Sequence, residues 1–140
     1  MATWTTLDHT ADLAIEARGG NSYETLDALI EGLLAQITDS RTVRATETVE
    51  IIGEGGNLEE TLVAVLGEIL FRINGRGWVF RDVRATSVAP LRIVLAARGE
   101  PFDPARHTLE QEVKAATYHD LFFGPAEQGD TWVARVIFDV

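Results

Sequence analysis

The 140-residue chain contains no cysteine. Disulfides, thiolate catalysis and cysteine-based zinc frameworks are therefore excluded, and any metal must be met by oxygen or imidazole ligands. Lysine is nearly absent as well. Of twelve basic residues one, Lys114, is Lys and every other is Arg. Such a singleton marks a place where a compact ammonium serves and a planar guanidinium does not; codon bias towards Arg is the plainer explanation. No apolar run approaches the roughly 20 residues of a membrane span. The opening MATWTTLDHTAD has neither the basic nor the apolar stretch of a secretion signal, so a cytoplasmic protein without membrane contact is expected. Positive charge is also short, with a net charge of −10. Proteins that grip nucleic acid unaided carry the opposite surplus, so strong direct binding of RNA or DNA is not expected, whereas a protein partner with a basic surface suits the charge.

Motifs of catalysis are missing too. There is no Gly-x-Ser-x-Gly, no Rossmann or Walker fingerprint, and His9, His107 and His119 do not stand at zinc-protease spacing. The length suits one domain, 1–140.

What is present is periodic. Trp4–Leu7 reads as a short strand, and Leu13, Ile15 and Ala17 alternate with Ala14, Glu16 and Arg18 as a second. Asn21 with Glu24, then Asn57 with Glu60, open two helices in the manner of capping boxes. Leu26, Leu29, Ile30, Leu33, Leu34 and Ile37 form the apolar stripe of the first; Leu58, Leu62, Val65, Leu66, Ile69, Leu70 and Ile73 form that of the second. Residues 43–52 alternate as a strand. Gly53–Gly56 reads as a turn without the Lys-Ser/Thr of a phosphate-binding loop. Val79, Val83 and Ala85, then Leu91, Ile93, Leu95 and Ala97, suggest a hairpin about Pro90. Residues 99–110 read as a polar loop, and 113–123 and 132–138 as two further strands. Early helices and a late antiparallel run indicate an α+β fold: a mostly antiparallel or mixed β-sheet with two amphipathic helices packed on one face.

Three stretches carry candidate chemistry. In DHTADLAIEAR (8–18), His9 and Asp12 stand at the entrance of the second strand, as a metal site, an acid/base site or a polar turn. In the last strand Val133, Arg135, Ile137 and Asp139 share a face, and Asp139 is followed by the terminal carboxylate of Val140. This dense negative group suits a hard divalent cation. In EVKAATYHDL (112–121), Lys114 shares a strand face with Tyr118, and His119 follows.

HTAD (9–12), EVKAATYH (112–119) and VIFDV (136–140), together with the helix LEETLVAVLGEIL (58–70), resemble the archease family over essentially the whole chain. The resemblance implies an α+β accessory protein, not itself an enzyme, that activates the RtcB-type RNA ligase of tRNA splicing and RNA repair. Such a factor promotes transfer of GMP from GTP to the ligase and lets it turn over repeatedly, meeting GTP and tRNA only through that partner. Metal-binding acids carry over onto Asp12 and Asp139, and the functional lysine onto Lys114. The metal set expected is thus Asp12, Asp139 and Val140, taking Ca²⁺ in a structure and Mg²⁺ or Mn²⁺ in the cell, with His9 and His119 as ligands or neighbours. The chain departs from the family at Val65-Leu66-Gly67, commonly Trp-Leu-Asn, and at Ala14, often Gly. The same acids also allow a small metal-dependent hydrolase with His9 or His119 as general base, and the sheet allows a chaperone-like binding module.

Overall fold

The computed structural model describes residues 2–7, 12–127 and 129–140. Along the chain run β1 (Thr3–Leu7), β2 (Leu13–Gly19), α1 (Ser22–Ile37), β3 (Glu47–Glu54), α2 (Leu58–Asn74), β4 (Trp78–Ala89), β5 (Arg92–Pro101), β6 (Ala115–Ala116), β7 (Phe122–Pro125) and β8 (Trp132–Asp139).

The α+β class holds, with every pairing antiparallel, but the strands divide into two sheets. One runs β1-β2-β8, with β6 and β7 sharing the other edge of β8; the second runs β3-β5-β4. The first sheet joins the two ends of the chain, because β2 pairs along β8 from Gly19↔Trp132 to Leu13↔Phe138. Both sheets turn an apolar face to the helices. A single core gathers Ile15, Ala134, Val136 and Phe138 from the first sheet, Ile51, Phe80, Ile93 and Leu95 from the second, and both helix stripes.

Local chemistry sets the helices. Asn21 and Asn57 each accept the backbone N–H three residues on, from Glu24 and Glu60, both at 2.9 Å. Each asparagine amide donates back to that glutamate, at 3.2 and 3.0 Å. These reciprocal bonds satisfy amides that the first turn leaves orphaned. The glycine run before α2 is a packing device. A Cβ on Gly53, which lies within β3, would stand 2.4 Å from the Val65 nitrogen, so only glycine lets α2 lie this close to the strand. The α2 N-terminus is already occupied, since the Gly56 N–H donates to Glu60 Oε1 at 3.3 Å.

Three expectations change. Residues 43–46 are not strand; Val43 closes a 3-10 turn by donating its N–H to the Ser40 carbonyl at 3.0 Å. In β4 the ladder slips between Phe80 and Asp82 and again between Ala85 and Ser87. The first bulge lets Val79, Phe80 and Val83 all be buried, which strict alternation cannot do. Residues 113–123 are not one strand either. Ala115–Ala116 pair with β8, after which Thr117 places both its N–H and its hydroxyl on the Ile137 carbonyl, at 2.9 and 2.8 Å. The chain then turns through Asp120, whose φ of 50° is left-handed, before resuming as β7. No helix among the described residues is long and apolar enough to cross a membrane.

Candidate functional site

The alternation of β8 decides which way its side chains point. Ala134, Val136 and Phe138 join the core, whereas Asp139 stands exposed at the strand end. Facing residues of an antiparallel ladder share one side of the sheet. Continuing the β2–β8 register one step beyond Leu13↔Phe138 sets Asp12 opposite Asp139. The turn preceding β2 leaves Asp12 half-buried. On the other side of β8, Ala115 pairs with Asp139, and the Lys114 N–H donates to the Asp139 carbonyl at 2.8 Å. The late motif and both aspartates thus lie on three adjacent segments at one end of the first sheet.

The Lys114 side chain goes elsewhere. It is exposed, and it borders a shallow depression formed with Gly67, Leu70, Phe71, Asn74 and Gly75 at the end of α2. Carbonyls at a helix C-terminus attract cations, which favours an ammonium there. Among the described residues Lys114 makes no ion pair. His119 lies in the turn after β6, 3.6 Å from Asp120, with both side chains largely exposed. Val140 follows β8 and is 37% exposed. His9 and Asp8 lie outside the described residues. No group of three His, Asp or Glu side chains gathers among the described residues. Asp12 and Asp139 are a pair of hard oxygen donors at a strand mouth, a donor set that suits Mg²⁺, Mn²⁺ or Ca²⁺ when water or further groups complete the shell.

Residues 99–110, read as a polar loop, hold the most buried carboxylate among the described residues. Glu100 belongs to β5 and is 5% exposed. Arg106 grips it with two nitrogens at 2.7 and 3.0 Å, and the Arg44 N–H adds 2.7 Å. His107, buried beneath, accepts the Asp103 N–H on Nδ1 at 2.8 Å. That bond leaves Nε2 to carry the hydrogen, which it donates to Glu100 at 3.0 Å. The Arg106 fork, then the Arg44 amide and the His107 bond, hold the Glu100 carboxyl well below its ordinary range, at about 2. The cluster fastens the arm leading to Lys114. Glu100 and Asp103 serve this arm. No local pattern announced the cluster, because its partners come from β5, the arm and residue 44.

Residues 4–140 match the model of the Archease protein family (MTH1598/TM1083). The chain is 37% identical to Protein archease of Methanopyrus kandleri, over 98% of this chain and 99% of that one. It is 32% identical to Protein archease of Pyrococcus furiosus over the whole of both chains. Among solved structures, protein 1598 of Methanobacterium thermoautotrophicum superposes with a TM-score of 0.71 at 26% identity, covering 98% of each chain. An archease of Thermotoga maritima, described as a possible chaperone, shares the fold with a TM-score of 0.54 at 22% identity, covering 96% of this chain and 94% of that one. A match running from β1 to the end of β8 takes in both aspartates and the lysine, and the chain belongs to the archease family.

Proposed function

We propose that this protein is a non-catalytic activator of an RtcB-type, GTP-dependent RNA ligase acting in the cytoplasm in tRNA splicing and RNA repair. It promotes guanylylation of the ligase and its repeated turnover, and it meets GTP and RNA through the ligase. The observation carrying this reading is the β2–β8 register, whose last pair, Leu13↔Phe138, leaves Asp12 and Asp139 as the next residues outward although 127 positions separate them in sequence. Support comes also from the charge of −10, which suits a basic protein surface better than RNA.

In this reading Asp12 and Asp139 hold a divalent cation, and the end of the first sheet that bears them approaches the ligase's nucleotide site. A bound cation supplies positive charge that neutralises phosphate oxygens. Asp12 and Asp139 orient it, and the pairing of β6 with β8 keeps Asp139 in place. Lys114 offers a mobile ammonium at the end of α2, within the same region of the molecule, as a point charge for phosphate or carboxylate.

The test is a ligase guanylylation assay with this protein at stoichiometric and sub-stoichiometric ratios. Asp12→Ala and Asp139→Ala variants with unchanged melting curves are expected to stimulate far less than wild type. Equal stimulation by both would sink the reading.

A further inference from the structure

A second feature lies at the ends of both helices. The C-terminal ends of α1 and α2, the start of β4 and the arm from 102 to 112 enclose a cavity of about 300 Å³, lined chiefly by Ile37, Ile73, Trp78, Val79, Phe102 and Leu109. The arm is tied down on every side. Phe102 donates its N–H to the Gly77 carbonyl at 2.7 Å, Glu110 to Ile37 at 2.8 Å, and the Asn74 amide to Val113 at 2.9 Å. The cavity is therefore built into the fold at the ends of both helices. Its mouth is unusual in two ways. Leu109 lines it yet is 53% exposed, an apolar side chain left in water at the opening. The neighbouring Glu110 and Glu112 are exposed, and neither makes an ion pair among the described residues.

We propose that this cavity is an anchor socket for a partner protein: it receives one large apolar side chain from a segment that carries Arg or Lys beside it. The volume and lining suit a single aromatic or long aliphatic side chain, the kind of buried anchor that dominates interface energies. The carboxylate of Glu112 at the cavity, with that of Glu110 next to Leu109 in sequence, selects the flanking charge, since a like-charged segment is repelled and a basic one is steered in. Glu112 lies two residues before Lys114, whose N–H reaches Asp139, so one short stretch of the arm joins the cavity to the end of β8. The inference rests on the proposed function, in which the partner is the ligase.

The experiment measures the affinity of the full chain for a purified RtcB-type ligase at low and moderate salt. Leu109→Glu places a charge where the anchor enters, and it is expected to weaken binding by about tenfold or more. Leu109→Met, keeping an apolar mouth, is expected to bind within about twofold of wild type. Glu110→Lys combined with Glu112→Lys is expected to slow association and flatten its salt dependence. Melting curves establish that each variant folds, and Leu109 and both glutamates are exposed enough to be replaced without unfolding. Wild-type-like binding by Leu109→Glu overturns the socket and leaves the activator reading standing, because the Asp12 and Asp139 variants judge that separately. Failure of the wild-type protein to bind the ligase overturns both. Self-association abolished by Leu109→Glu, with ligase binding unchanged, would assign the socket to a second copy and overturn the inference as stated.

Discussion

Leu13 and Phe138 form the last pair of the β2–β8 ladder, and the next residue outward on each strand is an aspartate. If the two carboxylates share a cation, each should depend on the other. Asp12→Asn and Asp139→Asn are each expected to weaken Mn²⁺ binding by about tenfold or more, and the double variant to lose little beyond the worse single one. Titration calorimetry reads this directly. Folding stability should move by less than about 0.5 kcal/mol for the exposed Asp139. Independent, fully additive losses would show that the two acids do not share an ion.

The Glu100 cluster predicts a pH dependence. Its folded-state carboxyl is held at about 2 against an ordinary 4.5, so the folded protein keeps it ionised where the unfolded chain has taken up a proton. The stability it contributes is complete above about pH 4.5 and is lost as pH falls towards 2. Urea titrations of wild type and Glu100→Gln should differ most near neutrality and converge across that window. A constant difference from pH 6 to 2.5 would remove the cluster's titration from the explanation.

Gly53→Ala should destabilise by about 1–3 kcal/mol, since its Cβ falls 2.4 Å from the Val65 nitrogen and a backbone atom must yield. The denaturation midpoint is expected to drop with its slope unchanged. A neutral substitution would mean that α2 moves off β3 without penalty.

Asn57→Ala removes the α2 cap and should cost about 1 kcal/mol. Asn57→Asp keeps the acceptor and should retain most of that. Equal losses in both variants would show that the amide, which also donates to Glu60, matters more than the oxygen.

Much of the fold was legible because it is local. A capping asparagine meets the glutamate three residues away, and a stripe at helical spacing needs no distant partner to be recognised. The α1 and α2 stripes are buried as the pattern predicts, except that Leu58 at the start of α2 is only half-buried. What failed was alternation over long stretches. A bulge in β4 and the departure of residues 117–121 from β8 depend on partner strands, and they reset a phase that periodicity assumes constant. The buried Glu100 was invisible for the same reason, since nothing in GEPFDPARHTLE distinguishes a solvated glutamate from one gripped by Arg106 and His107.

By itself the sequence determined the two capped helices, the alternating β2 and β8, the acidic balance, the solitary lysine and the family motifs. Each is written in residues a few positions apart. Only the tertiary structure decided that the strands split into two sheets, that Leu13 pairs with Phe138 so that an aspartate follows each at the same end of the ladder, and that Lys114 borders the end of α2. The physical reason lies in β-pairing, where hydrogen bonds join segments far apart in sequence. One step of register then determines which residues face each other and on which side of the sheet their side chains stand.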